Sequence, residues 1–427
     1  PFVRILGLNV LAVRLPSAIL GILSVWLIYL LVKELFENEI WGLLSAFFLA
    51  ISPWHLHFSR GGWEANAATF LVLAGVYLFS NAFNNPKIFT FSILLYALSF
   101  YTYHSARIIV PLLGLGLVFL YRNKLFKQTN RQWILASGIV GFIILIPLII
   151  NFFGPAGISR FAGVGLLADP GPLWRINELR GHHGDTMALP VRLIHNRVIG
   201  YSIAFAKNWF DHLQGEFLFI IGDVIERNRV PDMGQMYLFD ILLVVLGIYF
   251  LLKNQPKNWL VIFLWLAVAP VAAAMTFQTP HALRSLMMVI PLVIISAYGF
   301  CQSWLWVKKR ANKILVTGYW LLVTVVLLWS TTSYLHQYYL HYPKTYPDAW
   351  EYGFDQLVSY VQQVQGKYKR IYVTDKYDQP YILFLFYLKY PPEQFQQEVQ
   401  LTPRDRFGFS TARDFDKYHF EHIDFEK

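Results

Sequence analysis

Apolar runs separated by short polar breaks dominate the chain. Ten stretches are almost wholly apolar: 17–35, 40–54, 65–83, 88–103, 106–121, 133–153, 236–252, 259–275, 285–306 and 314–333. A bilayer core of about 30 Å needs roughly 20 mostly apolar residues per helix, fewer where a helix dips or breaks. The pattern therefore predicts ten spans, the second and fifth short. Two regions interrupt it. Residues 154–235 form a long loop that opens with the Gly/Pro-rich "FFGPAG" and "ADPGPL". Within it, residues 189–213 put Arg192, His195, Asn196, Ser202, Asn208, Asp211 and His212 mostly on one helical face and apolar residues on the other. That suits a helix lying in the membrane interface, the preferred reading, although one packed on soluble protein would show the same pattern.

The second interruption is the tail from 341. "DAWEYGFDQLVSYVQQV" has helical spacing of Trp350, Phe354, Leu357, Val358 and Val361, "RIYVTD" is strand-like, and "PYILFLFYLKY" is too short to span. Strand alternating with helix predicts a small α/β unit. The expected architecture is an α-helical polytopic membrane protein: a membrane domain over 1–340 with 154–235 as its large external loop, and a small soluble α/β domain over 341–427.

Composition supports this. Of 427 residues, 56% are hydrophobic, 17% aromatic and 15% charged, against about a quarter charged in soluble chains. The single Cys301 excludes a disulfide framework. The net charge of +10 does not indicate nucleic-acid binding, because 342–427 carries 11 basic and 13 acidic residues, leaving +12 on the membrane part. There Lys and Arg report sidedness. One set of loops holds Lys33, Lys87, Arg122, Lys124, Lys127, Arg131, Lys253, Lys257, Lys308, Lys309, Arg310 and Lys313; the short loops of the other set hold only Arg60, Arg107 and Arg284. The first set is expected in the cytoplasm, with both visible ends of the chain and the tail outside. The chain starts at Pro1 without a signal peptide and reads as a fragment.

The three minority arginines each follow a histidine by three residues: His57 and Arg60, His104 and Arg107, His281 and Arg284. Together they offer forked guanidinium donors and imidazole N–H groups suited to phosphate oxygens. Taken singly, each pair also reads as a structural feature at a helix mouth. In "SPWHLHFSRGGWEAN", Arg60 and Glu64 would lie one turn apart and could pair if helical, with Trp54 and Trp63 as interfacial anchors. "GDVIERNRVPDMGQMY" adds Asp223, Glu226, Arg227, Arg229 and Gln235 just before a span. "ELRGHHGD" invites a metal reading through His182, His183 and Asp185, but its spacing matches no closed zinc pattern, so no metal or other cofactor is expected. No G-x-S-x-G, H-E-x-x-H or Walker sequence occurs.

Five stretches resemble a known family: "VRLPSAILGIL" (13–23), "LAISPWHLHFSRGGWEAN" (49–66), "TYHSARIIVPLL" (102–113), "GDVIERNRVPDMGQMYLFDILLVVLGIYFLL" (222–252) and "TPHALRSLMMVIPL" (279–292). They are similar to bacterial relatives of the dolichyl-phosphate-mannose protein mannosyltransferases, membrane glycosyltransferases of the GT-C fold; the aminoarabinose lipid A transferase is a more distant cousin. The resemblance implies an inverting transferase that moves a mannose-like sugar from a polyprenyl-phosphate donor to an extracytoplasmic hydroxyl. The acceptor could be a protein, lipid or glycan, the setting is the cytoplasmic membrane, and no nucleic acid is involved. An outward-facing enzyme needs a membrane-anchored donor because nucleotide sugars are cytoplasmic. The family's main acidic residues lie in a first external loop before "RLPSA", so the base is expected upstream of this chain and Glu64 takes a supporting catalytic role. Arg60, His104, Arg107, His281 and Arg284 are assigned to the lipid phosphate, and His57, Asn66, Asp223 and Gln235 to substrate contact. The rival reading is a transporter or flippase for lipid-linked glycans, but charges cluster at span ends rather than mid-membrane.

Overall fold

A computed structural model describes residues 2–152, 163, 165–405 and 409–423; most of "FFGPAG" lies outside the described residues. All ten apolar stretches are helical in whole or large part. In order come α1 (Phe2–Leu6), α2 (Val10–Phe36), α3 (Glu39–Ile51), α4 (Pro53–Arg60), α5 (Glu64–Asn81), α6 (Ile88–Thr102), α7 (Ala106–Leu125) and α8 (Gln128–Phe152). The long loop carries α9 (Gly171–Gly181), α10 (Leu189–Ile194) and α11 (Arg197–Asp211). Then follow α12 (Asp240–Asn254), α13 (Leu260–Val268), α14 (Val271–Ala274), α15 (Val289–Arg310) and α16 (Lys313–His336).

Among the described residues, five helices are long and apolar enough to cross a membrane, six if α3 and α4, bent by 59°, count as one span. That is fewer than the ten spans expected: α6 and the α13–α14 pair are apolar but shorter. Local chemistry sets several boundaries. Asn9, Asn38 and Asn312 cap α2, α3 and α16 by accepting from Ala12, Trp41 and Leu315 N–H groups, satisfying donors that each helix start leaves unpaired.

α15 is the centre of the bundle, and every residue from Val289 to Cys301 is buried. α12 crosses it through Gly247 and Gly299. A Cβ on Gly247 would lie 2.1 Å from Ile295 O, and one on Gly299 2.1 Å from Leu243 O. Glycine is therefore required for the two backbones to touch, the small-residue packing that serves where lipid supplies no hydrophobic drive. The periphery is the reverse. On α16, Leu321, Leu328 and Trp329 are 67%, 63% and 75% exposed, an apolar surface suited to lipid and not to water.

The basic loops gather at one end. Lys257 pairs with Glu37, Asn258 Nδ2 donates to Leu35 O at 2.9 Å, and Lys33 meets Glu39 at 3.2 Å. α3 leads away from this end and α12 returns to it, so α4, the stretch before α12 and the loop before α15 lie at the other.

The long-loop helix differs from expectation. Residues 189–213 form two helices, not one, because Asn196 turns outward from the first and caps the second by accepting from Ile199 N at 3.0 Å. In α11 the polar Asn208 is buried, its Nδ2 donating to Ala274 O and Thr276 O at 3.2 and 3.0 Å, while Val198 and Ile203 are exposed.

The tail folds on its own core of Phe354, Val358, Val361, Val373, Phe384, Phe415, Tyr418 and Phe420. Its sheet has the order β1-β4-β3-β2, with β1 (Ile371–Thr374), β2 (Gln400–Leu401), β3 (Ala412–Phe415) and β4 (Tyr418–Glu421). β1 runs parallel to β4, and the other pairs are antiparallel. The apolar "PYILFLFYL" is a helix, Pro380–Leu388, that buries Phe384 in this core. The helix read from 348 begins only at Phe354. Trp350 sits ahead of it in a separate turn and turns toward the membrane part.

The Gly247 crossing generates a prediction. Gly247→Ala forces backbone against backbone, and overpacking costs about 1–3 kcal/mol. The expected result is a melting temperature lowered by several degrees in lipid nanodiscs, beside an unchanged Gly318→Ala control, whose Cβ would meet nothing.

Candidate functional site

Four segments distant in sequence meet at the end opposite the basic loops. Trp54 is the first link: its backbone N–H donates to Gln235 O and its Nε1 to Ala282 O, both at 3.1 Å. Asp223 is the second. Its fully buried carboxylate accepts from Ile225 N at 2.9 Å, Asn228 Nδ2 at 2.9 Å and Ala282 N at 2.6 Å. Gln235 is also buried, and its Nε2 donates to Asn228 O at 3.2 Å. Asp223 thus holds the 222–235 segment against the loop before α15, while Gln235 braces the segment internally and joins it to Trp54.

Histidines complete this joint. His212 Nδ1 bonds Asn208 O at 2.7 Å, and its Nε2 accepts from His281 N at 3.1 Å. That pairing requires a neutral ring with its proton on Nδ1. Burial agrees, holding His212 down to about 4 from an ordinary 6.5. His281 is pressed to about 3 by burial, then by the Arg284 charge. The 3.7 Å approach of its Nδ1 to Asp223 Oδ2 therefore joins a neutral ring to a carboxyl, not an ion pair. Burial raises the Asp223 pKa against its hydrogen bonds and the Arg229 charge.

Arg284 is half-buried beside this joint. Its Nη1 donates to Thr276 Oγ1 at 2.8 Å, and among the described residues it forms no ion pair. Burial lowers its pKa, while Tyr103 and Asp223 act electrostatically to raise it. This coupling brings Tyr103, at the head of the 103–107 turn, into the same neighbourhood. In that turn His104 is exposed, and Arg107, half-buried, donates from Nε to Phe100 O at 3.1 Å.

The first His-x-x-Arg pair faces a different environment. His57 is buried with Nε2 bonded to Arg227 O at 2.8 Å, and its ring lies 5.8–6.3 Å from those of Tyr338, Tyr342 and Trp350. Arg60 lies over the rings of Tyr338 and Tyr339 at 5.2 and 4.9 Å and donates to the Tyr339 hydroxyl. Such cation–π contacts contribute about 0.5–1 kcal/mol when exposed. The turn of helix at Gln337–His341 is wound in π fashion, as often occurs at functional positions.

The expected pairing of Arg60 with Glu64 is not formed among the described residues. Gly61 and Gly62 break the helix, Gly62 at φ +77, and Arg60 turns to the tyrosines. Glu64 is exposed in the first turn of α5, where a carboxylate complements the helix dipole. Asn66 is buried, and its amide donates to Ser17 O and Oγ at 2.8 and 3.1 Å. "RLPSA" is thereby tied to the second loop. Among the described residues no group of three or more potential metal ligands occurs.

Residues 2–150 match the family model described as dolichyl-phosphate-mannose-protein mannosyltransferase. The first three resembling stretches, including both the Arg60 and Arg107 turns, fall inside that match. Similar solved structures include the Archaeoglobus fulgidus oligosaccharyltransferase tethered to an acceptor peptide containing the NVT sequon, with 15% identity, TM-score 0.49, and 83% of this chain and 46% of that one covered. The apo form of the same protein gives 13% identity, TM-score 0.49 and coverages of 88% and 53%. Its complex with zinc and sulfate gives 15%, 0.47, 82% and 43%. The chain spans about half the length of these structures. No curated protein matches it.

Sequence reasoning missed His212 as a hinge of the site, together with Thr276 and Tyr338, Tyr339 and Tyr342. Only the tyrosines left a signal, the dense aromatic run "YLHQYYLHYP".

His212 and His281, two of the buried histidines, predict a pH dependence. Each has a folded pKa below the ordinary 6.5, so the unfolded chain binds protons first as pH falls. Their contribution is complete above about 6.5 and is lost progressively as pH falls through about 4 for His212 and about 3 for His281. The unfolding midpoint is expected to fall across that window. His212→Gln should shift it at pH 7 but flatten the slope, read by a thermal scan at each pH.

Proposed function

We propose that the protein is a membrane glycosyltransferase that moves a sugar from a polyprenyl-phosphate carrier to a hydroxyl acceptor on the extracytoplasmic side. The observation that carries this reading is Arg284: a half-buried guanidinium with no ion-pair partner among the described residues, beside a rigid polar joint at the mouth of the bundle. The family match over 2–150 supports the reaction class, and the gathering of basic loops at the opposite end supports the sidedness.

The acceptor oxygen attacks the anomeric carbon while the bond from that carbon to the phosphate oxygen breaks, and its electron pair passes to the phosphate. A base on the acceptor's side takes the hydroxyl proton, so the sugar inverts. The leaving phosphate gains charge, which Arg284, with Arg107 from the neighbouring turn, is suited to stabilise. His104 lies exposed in that turn, within the carrier's approach. His57 and His281 fix the loops that carry the arginines, and Asp223 and Gln235 fix those loops from the other side. Arg60 and Glu64 border the entrance from the second loop, Glu64 in a supporting role.

Each charge-assisted bond contributes about 1.5–3 kcal/mol, equivalent to about 10–100-fold in rate. Full-length protein in nanodiscs, given polyprenyl-phosphate-mannose and cell-envelope acceptors, should release polyprenyl phosphate. Arg284→Ala should slow that release 10–100-fold with helix content unchanged, and Arg284→Lys should recover part of it. Unimpaired release by Arg284→Ala would refute the assignment; no release across a panel of carrier-linked sugars would refute the transferase reading.

A further inference from the structure

The tail holds a polar groove remote from the joint just described. It encloses about 660 Å³ and lies on the open face of the sheet, within the roughly 300–1,000 Å³ of small-molecule sites. Register dictates its lining. β1, β4 and β3 place Tyr372 opposite His419 and His419 opposite Asp414, while the alternate residues Val373, Phe420 and Phe415 enter the core.

The lining is prearranged by its own contacts. The Tyr372 and His419 rings stack with centroids 5.0 Å apart and planes 27° apart. His419 Nδ1 bonds Asp414 Oδ1 at 2.6 Å, Arg413 Nε donates to Asp414 Oδ2 at 2.7 Å, and Arg413 Nη2 donates to Gln400 Oε1 at 2.9 Å. Burial opposes ionisation of Asp414, yet the hydrogen bonds and charges of Arg413 and His419 keep its pKa below the ordinary value, so it stays a carboxylate at neutral pH. β1 is an edge strand, and Tyr372 is 50% exposed, which leaves one side of the ring without a strand neighbour.

We infer that this groove binds a neutral saccharide. An aromatic face accepts the C–H surface of a pyranose ring. Fixed planar groups beside it, here a guanidinium, a carboxylate and an amide, match pairs of vicinal hydroxyls as two-pronged donors and acceptors. The lining sets Arg370 and Arg413 against Glu398, Asp414, Asp416 and Glu421, an acidic excess that disfavours an anionic ligand, while Arg413 and Asp414 are already paired with each other. The inference does not rest on the transferase reading, since the groove would hold a glycan whatever chemistry occurs at the membrane.

The test is saturation-transfer NMR on the full chain in nanodiscs free of glycosidic detergent, with mannotriose, maltotriose and chitotriose as neutral probes and sialyllactose as the anionic one. At least one neutral probe should show transfer. Tyr372→Ala should weaken it tenfold or more, as should the exposed Gln400→Ala to a smaller degree, with the sheet's circular dichroism retained. If Tyr372→Ala fails to fold, Tyr372→Leu, which keeps bulk without an aromatic face, takes its place with the same expected loss. Absence of transfer from every neutral probe, transfer unchanged by these variants, or preference for sialyllactose would overturn the inference.

Discussion

A single buried carboxylate decides how the polar end of this protein is put together. Asp223 accepts from its own segment through Ile225 and Asn228 and from the loop before α15 through Ala282. The 2.6 Å bond to Ala282 N bridges 59 positions of chain. A buried acceptor left without donors costs more than a typical bond contributes, so the two segments are held in one register. Because α15 is enclosed on all sides over its first half, the loop at its head inherits that rigidity. Arg284 follows from this: its position is set by a loop anchored at Ala282, at His281 and by the buried helix behind it.

The three His-x-x-Arg pairs share a spacing but not a task. His57 and His281 are buried, the His57 ring bonded to Arg227 O and the His281 ring accepting at Nδ1 from Arg284 N, whereas His104 is exposed. Arg60 rests on tyrosines, Arg107 on a carbonyl, and Arg284 on a threonine hydroxyl. His57 and His281 therefore serve as clamps that fix their turns. α11 offers a comparable inversion: polar Asn208 faces protein and apolar Val198 faces outward, as expected where the surroundings are lipid.

Much of this could be read from the chain. The ten apolar stretches all proved helical because hydrophobic run length is a local property, and the tail's strand at 371–374 followed from its β-branched and aromatic residues. The Gly61–Gly62 break was present in the letters but outweighed by the i, i+4 spacing of Arg60 and Glu64. What the sequence could not disclose were pairings between distant segments. Asp223 with Ala282, His212 with His281, and Asn66 with Ser17 depend on how helices cross, and a single chain carries no periodic mark of such crossings. The split of 189–213 at Asn196 was missed for a different reason: one polar residue on a polar face reads as continuation, although its side chain suits a cap better than a helix interior.

The route from the last long helix into the tail has a mechanical meaning. The chain passes from α16 through the π turn at Gln337–His341 and the short helix Tyr342–Thr345, and that stretch carries the rings that hold His57 and Arg60. Beyond it, Trp350 donates to the Tyr342 hydroxyl at 2.9 Å and packs against Trp63. The stem is thus more than a tether: the rings that carry the chain into the sheet-bearing tail are the same ones that pack on His57 and lie under the Arg60 guanidinium, so tail and bundle mouth share one set of contacts.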